Sequence, residues 1–350
     1  MKIGILTFHR AHNYGAVLQC YALQEVLKSI GHKVEVIDYK QPFNEIVYAP
    51  FSLKMFFRNI LHPRRMYKYF TQYNKRRKKK NIFGKFIHTY LNLSKVSDKE
   101  LPANYDAYII GSDQLWSLQC LGGKFDRFFL GNFKHSSNSK VIGYAISSNI
   151  FSLKQLINCN LIESLGNFEK LSMREANLTE FLQLNCNCKV EQCIDPTLLT
   201  DKELWDNLIV NDFLKEDYIL VFQIRGKKGH LLHKAKMLAL ELNCRIVDLS
   251  NMDFSVEEFV TLFKNAKYII TNSFHGTMFS LIFERPFYSV KFNDGFDGRY
   301  VDFLKRVGLE LCCVDYDFVP IRKDVDFSKA KDLLIQYRED SYNFLFSIDK

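Results

Sequence analysis

Residues 2–39 read KIGILTFHRAHNYGAVLQCYALQEVLKSIGHKVEVIDY, and they have the pattern of a strand, a helix and a second strand. KIGILTF is an apolar strand, and VEVIDY is the next one. Between them, Leu18, Ala22 and Val26 recur at helical spacing, and Gly31 follows directly after the predicted helix end. The chain therefore opens with a βαβ unit.

The turn between the first strand and this helix, HRAHNYGA (9–16), is long and lacks the GxGxxG pattern of a dinucleotide-binding fold. Asp38 follows the second strand, at the place where such folds hold a ribose. Without the glycines, the sequence does not favour a dinucleotide site at Asp38.

Strands and helices alternate along all 350 residues, which predicts an α/β fold with parallel sheets. We expect two Rossmann-like domains, 1–200 and 201–330, whose sheets face a cleft. A C-terminal helix is expected at 331–350. An aromatic and basic helical insertion, at about 44–95, interrupts the first domain.

Two local patterns mark helix starts in the second domain. Ser255 and Glu258 have the spacing of a capping box. The apolar strand AKYIIT ends at Thr271, an SFHG loop follows, and a helix is predicted at 277–284.

The net charge of +9 is unevenly distributed, because KRRKKK at 75–80 supplies six positive charges. A local excess of this kind does not indicate a nucleic-acid partner. The run has two other interpretations: a solvated surface, or peripheral contact with an anionic membrane through residues 58–85, where aromatic and apolar residues are interleaved. No apolar run is long enough to cross a bilayer. We expect a cytoplasmic protein, with the inner face of the membrane as its alternative location.

Nine cysteines are scattered along the chain, and no two-pair metal spacing appears among them. The nearest pattern, Cys186-x-Cys188-x4-Cys193, has no second ligand cluster after it. We expect reduced thiols and no bound metal or cofactor.

Four loops fall where predicted strands end: 9–16, 111–116, 172–175 and 272–276. Each combines small residues with a charged or amide side chain. Small residues let the backbone approach a ligand closely, and helix N-termini offer N–H groups to anions. Ligands in parallel α/β folds bind at this end of the strands.

His275 is the foremost candidate for chemistry. Ser273, Gly276 and Thr277 surround it with hydroxyl or amide donors. A histidine has an ordinary pKa of about 6.5, so it exchanges a proton near neutral pH. The alternative is an imidazole that is hydrogen-bonded within its loop.

Arg174 is the second candidate, because an arginine at a strand end can hold a phosphate or carboxylate through two N–H groups. Pairing with Glu175 is its structural alternative. Asp113, with Ser112 and Gln114, would bind sugar hydroxyls or supply a base, or Asp113 would cap a helix.

Asn13, Tyr14 and Gly15 open the first helix, where they would hold an anion or form an ordinary turn.

Six segments in order resemble the polysaccharide pyruvyl transferase family: NYGAVLQCYALQEVL, YDAYIIGSDQLW, SMREAN, IDPTLL, TNSFHGTMFSLIFERPF and GRYVDFLKRVGL. The resemblance covers about residues 4 to 309, nearly the whole chain. The resemblance implies a fold like the two-domain, GT-B-like glycosyltransferases. It also implies transfer of pyruvate from phosphoenolpyruvate to two hydroxyls of a sugar in a surface polysaccharide or its lipid-linked precursor, forming a cyclic ketal and releasing phosphate.

The resemblance also implies roles for the candidate residues. His275 would act as acid and base or hold the phosphate, Arg174 would hold the phosphate or carboxylate, and Asp113 would complete the catalytic group. The donor-binding residues would be Arg174, Ser273, His275, Gly276 and Thr277. The acceptor-binding residues would be Asn13, Tyr14, Gly15, Ser112, Asp113 and Gln114.

One position departs from the pattern of the family. Some members have an arginine two residues before the histidine, where this chain has Ser273. Arg225, Lys227 and Arg299 are candidates to replace that cation. Two other functions stay open: a glycosyltransferase that uses a sugar nucleotide in the same cleft, and a non-catalytic scaffold that docks to a membrane.

Overall fold

The structure is a computed structural model of the chain. It describes residues 1–51, 56–57, 60–94, 96, 100–102, 104–158, 161–211, 213–214, 216–250 and 253–348. The predicted insertion (44–95) and membrane segment (58–85) therefore lie partly outside the described residues.

The chain divides into two compact units. Unit 1 comprises Met1–Met173 and Asn177–Pro196, together with Ile348, and unit 2 comprises Arg174–Ala176 and Thr197–Ser347. Each unit contains one parallel sheet, so the predicted α/β class with two parallel sheets is confirmed.

The sheet of unit 1 has seven strands in the order β3-β2-β1-β4-β5-β6-β7, and every pairing is parallel. These strands are β1 (Lys2–Leu6), β2 (Lys33–Ile37), β3 (Leu93–Ser94), β4 (Ala107–Asp113), β5 (Lys140–Ile146), β6 (Lys170–Met173) and β7 (Lys189–Gln192).

The sheet of unit 2 has five strands in the order β12-β11-β10-β8-β9, again all parallel. These strands are β8 (Tyr218–Phe222), β9 (Arg245–Asp248), β10 (Tyr268–Thr271), β11 (Phe287–Val290) and β12 (Cys313–Val314).

Helices connect the strands in both units. The first seven are α1 (Tyr14–Ser29), α2 (Pro42–Tyr48), α3 (Pro63–Thr71), α4 (Tyr73–Tyr90), α5 (Leu118–Leu121), α6 (Ile150–Asn158) and α7 (Ala176–Gln183). The next seven are α8 (Pro196–Leu199), α9 (Lys202–Asp206), α10 (His230–Leu242), α11 (Val256–Asn265), α12 (Phe274–Ile282), α13 (Gly298–Arg306) and α14 (Ser328–Phe346). Two 3₁₀ turns lie at Leu161–Asn167 and Glu310–Cys312.

The opening βαβ unit forms as its sequence predicts. β1 pairs in parallel with β2, and the Asn13 side chain caps α1 by accepting a hydrogen bond of 2.9 Å from the Gly15 N–H. The helix ends at Ser29, and Gly31 follows the C-cap Ile30 with a φ of +94°, a left-handed conformation that glycine adopts without steric cost. The capping box of Ser255 and Glu258 is likewise present at the start of α11.

The two central strands at the reversal point of unit 2 are buried along their whole length. Every residue of β8 and β10 is buried. Parallel strands are covered by helices on both faces, which is why YILVF and YIIT are continuous apolar runs and show no alternation. Burying one such aliphatic side chain contributes about 1.5–3 kcal/mol.

Two elements differ from the sequence-based expectation. α12 begins at Phe274, three residues before the predicted start, so the SFHG segment forms the first turn of a helix. β3 is a two-residue strand inside the segment that we expected to be helical, and it pairs with β2. A strand of two residues is too short to show a periodic pattern.

The strand order reverses at one point in each sheet. In unit 1 the reversal lies between β1 and β4, and in unit 2 it lies between β8 and β10. Loops at the carboxyl ends of such strand pairs diverge to opposite sides and leave a crevice, which is where ligands bind in open α/β sheets. The loops 9–16 and 272–276 follow β1 and β10, so each lies at one of these points.

Candidate functional site

The first turn of α12 is fixed by a short network of hydroxyl and amide groups. Ser273 is its N-cap, and the Ser273 hydroxyl accepts a hydrogen bond of 3.3 Å from the Gly276 N–H. The Thr271 hydroxyl accepts from the Ser273 N–H at 3.0 Å and donates to the Phe222 carbonyl at 2.8 Å. The ends of β8 and β10 are thereby tied to the helix start.

Gly276 is required by the close approach of Thr271. A Cβ at position 276 would lie 2.4 Å from Thr271 Oγ1 and 3.1 Å from Phe222 Cδ1. The Thr277 hydroxyl donates to the Ser273 carbonyl at 3.1 Å and lies 2.6 Å from the Ser289 hydroxyl of β11. Ser273, Gly276 and Thr277 thus hold the turn in place, which in turn positions the side chains of Phe274 and His275.

Two arginines and His275 gather around the ring of Phe274. The Arg174 guanidinium carbon lies 4.7 Å from the ring centroid, and that of Arg299 lies 5.9 Å from it. The His275 ring meets the same phenyl ring edge-on, at 5.1 Å between centroids. Arg174 and His275 are 7% exposed, and Arg299 is half-buried. Arginine guanidiniums stack on aromatic faces and also bind oxyanions through the N–H groups in their plane.

The other candidate cations are placed differently. Arg225 donates to Asp294, to the Asp297 carboxylate at 2.8 Å and to the Asn272 carbonyl at 2.9 Å. Its charge is already matched by two carboxylates, so it fastens the loop after β10. The Lys227 side chain is exposed. Of the three candidates, Arg299 alone shares the Phe274 ring with Arg174.

Ser112 lies inside the sheet of unit 1, and its role in acceptor binding stays a prediction. Its side chain is fully buried, and its hydroxyl donates to the Ala145 carbonyl at 2.8 Å. Its N–H donates to Gln19 Oε1 at 3.2 Å. Ser112 therefore joins β4 to β5 and α1, and its hydroxyl does not face solvent.

Asp113 and Gln114 lie at the end of β4, and both are half-buried. Asp113 has a φ of +86°, a left-handed conformation that is uncommon for a residue with a side chain, and its Oδ1 accepts from the Gln114 N–H at 2.8 Å. Non-glycine residues in such conformations are concentrated at functional sites. The predicted alternative of a helix cap is not observed, because Asp113 is the last residue of a strand.

The loop after β1 contains an ion-pair network that the sequence did not indicate. Arg10 donates to both carboxylate oxygens of Asp38, at 2.5 and 2.6 Å, and His9 Nε2 lies 3.0 Å from the same carboxylate. The Asp38 carboxylate is thus already bound by Arg10 and His9, and the sequence likewise did not favour a ribose-binding role for it. Asn13 is an exposed helix cap, and the ring of Tyr14 packs 5.1 Å from that of Phe83.

The described residues contain no group of three or more His, Cys, Asp or Glu side chains arranged to hold a metal ion. None of the eight cysteines in the same part of the chain forms a disulfide. Among the helices that the structure describes, none is both long enough and apolar enough to cross a membrane.

Solved structures with similar architecture include several sugar-nucleotide enzymes. A UDP-GlcNAc 2-epimerase from Methanocaldococcus jannaschii has a TM-score of 0.45 at 10% identity, with 97% of this chain and 92% of that chain covered. A putative UDP-N-acetylglucosamine 2-epimerase from Listeria monocytogenes has a TM-score of 0.47 at 8% identity, covering 100% and 89%. The spinosyn forosaminyltransferase SpnP has a TM-score of 0.41 at 10% identity, covering 100% and 95%.

A comparison with curated proteins found no match. The family model of the polysaccharide pyruvyl transferases matches residues 13–293, well over half of the chain. This range includes the candidate residues from Asn13 to Thr277, whereas Arg299 lies just beyond it. The chain belongs to the polysaccharide pyruvyl transferase family, a family of transferases.

Proposed function

We propose that unit 2 binds phosphoenolpyruvate at Arg174, Arg299 and His275, and that the protein transfers its pyruvyl group to two hydroxyls of one sugar, forming a cyclic ketal. Membership of the family implies pyruvyl transfer onto polysaccharide. The observation that carries the donor site is the shared Phe274 ring, which gathers two guanidiniums beside a histidine. The acceptor that we propose is a sugar of a surface polysaccharide or of its lipid-linked precursor.

Two arginines match the two anionic groups of the donor. Phosphoenolpyruvate carries a phosphate and a carboxylate on neighbouring substituents of one carbon, and guanidiniums bind both groups through paired N–H donors. Because Arg174 is largely buried, its interaction with an anion would be less screened by solvent than that of a surface arginine. Ser273 supplies no cation, and Arg299 supplies one from the neighbouring helix α13.

The reaction needs one proton at carbon and one at phosphate. Protonation of the C3 methylene makes C2 electrophilic, and the first sugar hydroxyl adds there. The second hydroxyl then forms the other C–O bond as the C2–O bond to phosphate breaks. Each sugar hydroxyl loses one proton. One of these protons replaces the proton delivered to C3, and the other protonates the departing phosphate. A histidine beside the anion site suits the proton transfers, which typically contribute about 10²–10⁴-fold to the rate.

The experiment measures phosphoenolpyruvate binding by calorimetry, and phosphate release with a panel of galactosyl and mannosyl glycans. Arg299→Gln should weaken phosphoenolpyruvate binding about tenfold or more, because a hydrogen bond to a charged group contributes about 1.5–3 kcal/mol. The matched control is Arg306→Gln. Arg306 lies on the same helix and also stacks on a ring, that of Tyr337 at 4.2 Å, but away from Phe274. Equal losses in both variants would contradict the assignment of Arg299.

His275→Gln separates the two roles of the histidine. If His275 transfers protons, the variant should keep phosphoenolpyruvate affinity and lose about 10²-fold or more in turnover. If it holds the phosphate, affinity should fall together with turnover. Unchanged turnover would remove His275 from the mechanism. Stabilisation of the wild type by a sugar nucleotide but not by phosphoenolpyruvate would overturn the proposed donor.

A further inference from the structure

A cavity of about 280 Å³ lies at the carboxyl ends of β1 and β2 in unit 1. The loop after β1, the residues after β2 and helices α2 and α4 line it, and Lys40, Glu45, Lys80 and His88 are exposed at its rim. We call it the basic pocket; its lining residues are Arg10, His12, Lys40, Glu45, Tyr48, Ala49, Lys80, Gly84, Ile87 and His88. Lys80 is the last residue of the KRRKKK run, so the pocket brings part of that run to the end of the sheet.

Cationic side chains dominate the lining. Arg10, Lys40 and Lys80 are positively charged, and Glu45 is the one carboxylate among the lining residues. Arg10 uses two of its five N–H donors on Asp38, which leaves three for a ligand. The ion pair also holds the guanidinium in one orientation, so little side-chain freedom remains to be lost on binding.

His12 is held rigidly at the same wall. Its ring lies 5.6 Å from that of Phe83, with an angle of 9° between the planes, and 5.0 Å from that of Tyr48. Its ring nitrogens form no hydrogen bond with any described residue. Burial, together with the positive charges of Lys79 and Lys80, lowers the pKa of His12 to about 4. An anion in the pocket would offset the effect of these two lysines.

The size of the cavity restricts the ligand. Pockets for drug-sized molecules measure about 300–1,000 Å³, so 280 Å³ is suited to one compact group. Three cations on three separate segments of chain, opposed by Glu45 and by the Asp38 partner of Arg10, favour a compact anionic group. Phosphate oxygens accept hydrogen bonds from arginine, lysine and imidazole N–H groups alike.

We propose that the basic pocket binds a phosphate or diphosphate group. All its lining residues belong to unit 1, whereas Arg174, His275 and Arg299 belong to unit 2, so the proposal is independent of the proposed donor site. The group would be part of a lipid-linked acceptor or of a soluble phosphorylated ligand, and both present the same oxyanions.

The experiment is calorimetric titration of the full chain with inorganic pyrophosphate, without phosphoenolpyruvate. Lys40→Gln/Lys80→Gln should weaken binding about tenfold or more through loss of two charge-assisted contacts. The matched control is Lys75→Gln/Lys85→Gln, which removes the same charge from two positions outside the pocket on α4, the helix of Lys80; all four lysines are exposed. Circular dichroism should show the same helical content in both variants.

Selective loss in the Lys40/Lys80 variant supports the site. Equal weakening in both variants would show a diffuse effect of net charge and overturn the proposal, as would an absence of pyrophosphate binding to the wild type. Phosphatidylcholine vesicles with and without a polyprenyl diphosphate distinguish the two sources. Retention that requires the diphosphate lipid and the two pocket lysines assigns the site to a lipid-linked ligand, and pyrophosphate binding without such retention assigns it to a soluble one.

Discussion

Replacement of Gly276 by alanine tests how rigidly the start of α12 is built. The added Cβ would lie 2.4 Å from Thr271 Oγ1, far inside van der Waals contact, and 3.1 Å from Phe222 Cδ1. The Thr271 side chain cannot move aside without weakening two hydrogen bonds, because its hydroxyl accepts from the Ser273 N–H and donates to the Phe222 carbonyl.

The expected cost follows from these contacts. Overpacking of a filled core costs typically 1–3 kcal/mol, and displacing Thr271 would also weaken two hydrogen bonds of about 1 kcal/mol each. Alanine has a higher helix propensity than glycine, which offsets about 1 kcal/mol of this loss. We therefore expect Gly276→Ala to lower the free energy of unfolding of unit 2 by about 2–4 kcal/mol.

Tryptophan fluorescence during urea unfolding measures this loss. Trp205 lies in unit 2, and its ring contacts that of Phe279 on α12 at 4.9 Å, so it reports on this unit. A Trp116→Phe background removes the other tryptophan of the chain. Gly298→Ala is the control, because a Cβ at Gly298 meets nothing within 4 Å. If Gly276→Ala unfolds at the same urea concentration as Gly298→Ala, the steric account of this turn is refuted.

Two further predictions concern ionisable groups. Burial raises the pKa of Asp297, but hydrogen bonds from Tyr300 and Arg225 outweigh it, and the net result is a pKa below the ordinary 3.8. Asp297 therefore stabilises unit 2 above that pH, and this contribution is lost as the pH falls through its folded pKa. The free energy of unfolding in urea should then fall less steeply toward acid pH in Asp297→Asn than in the wild type. An equally steep fall in both proteins would contradict the ion pair. Lys80→Gln should raise the pKa of His12 from about 4 by removing one nearby positive charge, while burial keeps it below 6.5. NMR titration of the His12 ring proton, identified by its loss in His12→Gln, measures the shift, and an unmoved pKa would place Lys80 away from the ring.

Local patterns predicted the framework of the fold, and long-range contacts could not be read from them. Gly31 and the Ser255–Glu258 capping box act within one turn of chain, so their spacing alone identifies a helix end and a helix start. The gathering of Arg174 and Arg299 on Phe274 joins residues that are far apart in sequence, and no periodicity indicates it. The sequence offered only a set of candidate cations.

The local sequence around Ser112 could not distinguish a ligand contact from an internal hydrogen bond. Its position after a buried strand, between glycine and aspartate, is equally suited to a ligand contact and to an internal hydrogen bond. The outcome depends on whether its hydroxyl points toward β5, where Ala145 has a carbonyl available. Strand pairing determines that direction, and the neighbouring strand is not adjacent in sequence. Asp113, one residue later, remains half-buried at the strand end, so the prediction of acceptor binding by this loop now rests on Asp113 and Gln114.

In the proposed donor site, Ser273 and Arg299 would have complementary roles. A serine hydroxyl accepts the hydrogen bond from the Gly276 N–H that closes the first turn of α12, whereas an arginine side chain has no acceptor and cannot do so. Capping of this kind contributes about 1 kcal/mol and fixes the turn that carries His275. A donor site that has serine here must obtain its second cation elsewhere, and helix α13 brings Arg299 to the ring of Phe274. With Arg299 as the proposed second cation, the departure at Ser273 does not by itself indicate loss of the donor site.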